Sequence, residues 1–168
     1  MTLSDLKVNF PDATEDTWHQ HSNGGGWVEN TATVDDTAFV GPDAVVSGKA
    51  RVSSEAMVYA NAWVTGNALV CGDALVSGNA LVSGNAKVSG NAWVSGEARV
   101  FGDAKVSGIA RVYGDADVSG EARVYGNARV SGNAVVYGEA RVAGNAWVSG
   151  YASVSGNAVV LWSDQGLW

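Results

Sequence analysis

The chain has 168 residues, 46% of them apolar, and its 17 acidic side chains outnumber 10 basic ones to leave a net charge of −7. That length suits one domain with a core of its own. The acidic balance disfavours duplex nucleic acid as a partner, and the absence of any apolar run of bilayer length excludes a membrane span.

The opening MTLSDLKVNF lacks the basic and apolar regions of a signal peptide, so secretion by that route is not expected. Residues 1–27 contain Trp18, both histidines of the chain, His19 and His21, and the turn Asn23-Gly24-Gly25-Gly26-Trp27. Most of the negative charge lies near this end, with eight acids and one base over residues 1–43. The pair His19 and His21 supplies only two metal ligands without a third, so no metal site is expected and none of the residues calls for a cofactor. One cysteine, Cys71, leaves no internal disulfide framework and fits a reducing, cytoplasmic compartment.

From Val28 to Val160 every sixth residue is valine, 23 in succession, and alanine precedes each by two places from Ala32 to Ala158. Glycine stands at position 48 and at all sixteen corresponding places from Gly66 to Gly156, usually followed by Asn, Asp or Glu. In an extended segment, residues i and i+2 point the same way, so each Ala-x-Val triplet puts two apolar groups on one face and one residue on the other. Gly with Asn or Asp then supplies a corner. Such units cannot bury their apolar edge alone and must stack into a solenoid. Residues 28–161 are the predicted solenoid. Its open ends need covers, so residues 1–27 are read as an N-terminal cap and residues 162–168, with Trp162, Leu167 and Trp168, as a C-terminal cap.

This repeat resembles the hexapeptide-repeat family of left-handed parallel β-helix proteins. The resemblance implies an all-β, single-stranded left-handed parallel β-helix solenoid of about seven triangular coils, each of about 18 residues. It also implies assembly as a homotrimer of parallel prisms. The stretch His21-Ser-Asn-Gly-Gly-Gly-Trp-Val is similar to the head of certain bacterial and phage-borne members, often labelled acyltransferases, which points to a soluble protein of a bacterial host cell. Enzymes of that class use a histidine as general base, and a base must lie within hydrogen-bond reach of the group it activates. No histidine follows His21, and no inserted loop breaks the register from Val28 to Val160, so His19 and His21 are the only catalytic candidates.

Stacking in register places residues 18 apart above one another and turns the outward positions into three columns. The first reads Thr33, Arg51, Leu69, Lys87, Lys105, Arg123, Arg141, Val159; Asn85, Asp103, Glu121 and Glu139 flank its bases and are expected to form a salt-bridged, solvated face. The second begins with Phe39, Met57, Leu75 and Trp93, and the third with Val45, Trp63 and Leu81. Together these seven make an outward apolar strip on adjacent sides, which a second copy should cover. Higher up, the second column becomes Trp93, Arg111, Arg129, Trp147, flanked by Ile109, Asn127 and Asn145 on one edge and Tyr113 on the other. Guanidinium forks between aromatic platforms suit a phosphate-bearing, base-bearing small molecule. Trp93, Arg111, Tyr113, Arg129 and Trp147 are the candidate ligand-binding residues.

These features favour a non-enzymatic binding or sequestering protein for a small anionic, nucleotide-like ligand. A structural or virion interaction rod and an acyl-CoA-dependent acyltransferase are the alternatives.

Overall fold

Each hexad forms one two-residue strand and one corner. Strands such as Lys87–Val88, Trp93–Val94 and Arg99–Val100 consist of an outward residue followed by an inward valine. The inward series is closed to solvent: no alanine from Ala38 to Ala140 and no valine from Val40 to Val142 at the repeat positions is more than 1% exposed. At the corners the backbone turns through a left-handed residue, as at Gly96 with φ 73°. A Cβ added there would lie 2.9 Å from both N and O of Gly114 in the next coil, so corner backbone stacks directly on corner backbone.

The computed structural model describes residues 1–161 and shows a parallel β-solenoid of about seven coils of roughly 18 residues. Three parallel sheets form its faces. The first runs from Thr33–Val34 to Val159–Val160, the second from Phe39–Val40 to Trp147–Val148, and the third from Trp27–Glu29 to Ser153–Val154. Strand partners are 18 residues apart on every face, as in Lys87 with Lys105, Trp93 with Arg111 and Leu81 with Arg99. The columns written from the sequence are therefore columns in space. The expected C-terminal cap, residues 162–168, lies outside the described residues.

The ladder has a direction. Arg51 N donates to Ala68 O at 2.8 Å and Ser53 N to Val70 O at 3.0 Å, so amides point to the following coil and carbonyls to the preceding one. The first coil therefore begins with carbonyls that have no coil beneath them. On the second face Ala38 O accepts from His21 Nε2 at 3.0 Å and Asn23 Nδ2 at 3.1 Å, while Val40 O accepts from Gly26 N at 2.9 Å. On the third face, Trp18–Gln20 pairs antiparallel with Trp27–Glu29.

Leu3–Asn9 forms a helix that the hexad repeat does not announce. Its first turn is closed by a capping box: Thr2 Oγ1 accepts from Asp5 N at 3.2 Å, and Asp5 Oδ2 accepts from Thr2 N at 2.7 Å. That backbone donor, followed by the Thr2 hydroxyl, holds the Asp5 carboxyl below the usual aspartate range. The helix lays Leu6 onto the third face, where it clusters with Ala13, Trp18, Trp27 and Val45. Phe10 completes this cover, its ring centroid 4.8 Å from that of Trp18 and 5.5 Å from that of Trp63.

This changes the expected interface. Val45 is fully buried beneath the chain's own N-terminal segment, and Trp63 is half-buried against Phe10. Neither is an open apolar residue awaiting a second subunit. The third face's share of the strip is covered within the chain, because a nearby amphipathic helix reaches it without any cost of association. On the second face Met57 and Trp93 stay exposed, while Phe39 and Leu75 are half-buried, as is Leu81 on the third.

Candidate functional site

On the second face the strands Trp93–Val94, Arg111–Val112, Arg129–Val130 and Trp147–Val148 are consecutive neighbours. Their valines point into the core, and the residues before them all project outward and are exposed. Arg111 and Arg129 are direct partners in the ladder, with Trp93 below the first and Trp147 above the second. The Arg111 guanidinium carbon lies 4.9 Å from the Trp93 ring centroid, a cation–π arrangement that holds the arginine from beneath. Trp147 Nε1 donates to Ser131 Oγ at 3.2 Å, which fixes the indole by its polar edge.

Between these groups lies a depression of about 380 Å³, lined by Ile109, Arg111, Asn127, Arg129, Asn145 and Trp147. Its far wall is an amide ladder, in which Asn127 Nδ2 donates to Asn145 Oδ1 at 3.1 Å. Ile109, more than half exposed at 56%, continues the same wall below Asn127 and makes it apolar where its column otherwise places a polar residue. Among the described residues no carboxylate lines the depression, and neither arginine has a carboxylate oxygen within ion-pair distance. Among the described residues the two guanidinium groups thus face the hollow together without an internal counter-ion.

Of the candidate ligand residues, Arg111, Arg129 and Trp147 line this space. Trp93 acts beneath Arg111, and Tyr113 is half-buried on the opposite edge without lining the depression. Ile109, Asn127 and Asn145 take the place Tyr113 was expected to fill, because the hollow opens toward the residues before each strand. The signal was present in the sequence as the substitution of isoleucine for the usual polar residue.

The two histidines sit elsewhere. His19 is exposed and its Nδ1 lies 2.7 Å from Asn30 Oδ1, while His21 is buried and bonded to the Ala38 carbonyl. Among the described residues no three side chains of His, Cys, Asp or Glu come together as a metal site, and no helix is long and apolar enough to cross a membrane.

A family model described as YdcK Beta solenoid repeat matches residues 122–138. Those residues span one coil, with a strand from each face: Arg123–Val124, Arg129–Val130 and Val135–Val136. The likeness is to the repeat. No curated protein matches the chain.

Proposed function

We propose that the chain is a hexapeptide-repeat solenoid, wound left-handed as that resemblance implies, and that it works by binding rather than catalysis. Its ligand is a small anionic molecule with an aromatic base, of nucleotide type, taken up in the depression of the second face. One observation carries this reading: Arg111 and Arg129 project in register into a single hollow that ends on Trp147 and, among the described residues, holds no carboxylate. Paired guanidinium groups match phosphate oxygens bidentately. The Trp147 indole offers a stacking surface for a base, and the Asn127 and Asn145 amides supply donors and acceptors for its edge. A volume of about 380 Å³ falls within the range of roughly 300–1,000 Å³ common to small-molecule sites.

The acyltransferase reading needs a histidine base: His21 is buried with Nε2 on the Ala38 carbonyl, which leaves the exposed His19, held through Nδ1 by Asn30, and it lies in the N-terminal segment away from this hollow. Sequestration of a host signalling nucleotide by a phage-borne protein would need no more than the site described. Homotrimer assembly belongs to the same proposal. The apolar lower part of the second face, with Met57 40% and Trp93 45% exposed, would pack against a neighbour and leave the arginines at the cleft between subunits.

Calorimetry of purified protein against a nucleotide panel tests the site. Arg111→Ala and Arg129→Ala should each weaken binding by about ten- to a hundredfold, the loss of one charge-assisted contact. Both should melt like wild type because their side chains point away from the core, and His19→Ala should bind as wild type does. Unchanged affinity in the double arginine variant, or acyl-CoA turnover that depends on a histidine, would overturn the reading.

A further inference from the structure

We propose that the first face binds a linear acidic polysaccharide, one with a carboxylate on each sugar, along the ladder Lys87–Lys105–Arg123–Arg141. This site is separate from the hollow of the second face and independent of it.

These four residues are successive partners in the parallel ladder. Their backbones are fixed by Lys87 N to Ala104 O at 2.9 Å, Lys105 N to Ala122 O at 2.8 Å and Arg123 N to Ala140 O at 2.8 Å. The cations therefore recur at the inter-strand spacing of about 4.8 Å. Like charges placed directly opposite one another destabilise a sheet. The flanking acids were expected to relieve this through salt bridges. They do not: among the described residues, the one ion pair within 4 Å joins the Met1 ammonium group to Asp43, at the other end of the molecule. All four cations are exposed.

The ladder runs between two unlike hollows. One, of about 300 Å³, is lined by Lys105, Ser107, Arg123, Tyr125 and Arg141, with no carboxylate among the described residues. The other, of about 240 Å³, shares Lys105 and Arg123 but is walled by Asn85, Asp103 and Glu121. A ligand suited to both must bring anions to the ridge of cations and hydroxyl donors to the acids beside it. An acidic sugar chain does so, since its carboxylates alternate with hydroxyls that Asp103 and Glu121 accept from. The Tyr125 ring offers a flat surface to a sugar face, and the hydroxyls of Tyr125 and Ser107 bond its oxygens. A polyphosphate or a nucleic acid strand would instead press phosphates against Asp103 and Glu121, at a cost in repulsion.

Calorimetry with uronic acid oligomers of one to about six sugars tests this at low and moderate salt. Affinity should climb with each sugar up to about four, one for each cation, then level off, and it should fall as salt rises. Arg123→Ala should weaken binding of the four-sugar oligomer about tenfold or more. Arg123→Lys should recover most of it, and Arg99→Ala, which removes a charge from the third face, should leave it unchanged. The proposal is overturned by no binding, by affinity independent of chain length, or by equal binding of a neutral glucan. Tighter binding of polyphosphate or single-stranded DNA of equal charge, measured in the Arg111→Ala/Arg129→Ala protein so that the second-face hollow is silent, overturns it too. None of these results bears on Arg111 or Arg129, so the two sites stand or fall separately.

Discussion

Ala60 occupies a corner with φ 55°, where the five positions above it in its column, Gly78, Gly96, Gly114, Gly132 and Gly150, are glycine. A side chain in the left-handed region costs about 1–2 kcal/mol, whereas glycine adds about 0.4–1 kcal/mol of chain entropy to the unfolded state. Ala60→Gly should therefore stabilise the protein by up to about 1.5 kcal/mol. Gly96→Ala should destabilise it, because its new Cβ meets backbone at 2.9 Å rather than a side chain that can move. Urea denaturation checks both, and a stabilised Gly96→Ala would contradict the stacking of the corners. Ser54, also left-handed at φ 63°, should gain from glycine in the same way, since its bonded groups are backbone and glycine keeps them. Its N–H donates to Asp35 Oδ2 at 3.0 Å and its carbonyl accepts from Thr37 Oγ1 at 2.7 Å. The glycine corners were plain in the sequence because backbone that needs positive φ at a fixed interval leaves a fixed letter. The role of His21 was not, since which carbonyl lacks a donor depends on the direction of the ladder.

Among elements, the strands were legible and the helix was not. Ala and Val at fixed spacing write the inward face of every strand, but the seven residues Leu3–Asn9 are too few to show a helical period against a repeat more than a hundred residues long. The signs were the Thr2 to Asp5 spacing and the apolar residues Leu3, Leu6 and Phe10. Missing them made Val45 and Trp63 look like interface. Within the coils, Val100 lies between Val82 below and Val118 above, fully closed to solvent. Val100→Asp should cost about 4 kcal/mol or more, since a buried, unpaired carboxylate has to be neutralised or expelled. Hydrogen exchange should show several adjoining coils losing protection together, because each coil is held only by its neighbours. Exchange that changes at position 100 alone would show coils that fold independently.

For the whole molecule, the columns followed from the period, while their concavity did not. A six-residue repeat states which side chains share a line, but whether Arg111 and Arg129 bound a hollow depends on how the wall beside them is shaped by Ile109 and the asparagines. Assembly is the property that now rests on the second face. Met57→Glu with Leu75→Glu should shift a trimer toward monomer, since charge placed in an apolar contact loses its water, and light scattering at micromolar concentration is the check. A wild-type protein already monomeric there would end the trimer proposal. The uniform Ala and Val core has one more consequence. Every inward step looks like every other, so the interior cannot remember which face it serves. Gain or loss of three hexads lengthens or shortens the rod with all outer columns intact, but gain or loss of a single hexad leaves the core content and carries everything beyond it one third of a turn round. Such a protein can reassort its surfaces by slippage in whole repeats, trading one outer face for another without first solving the folding problem again.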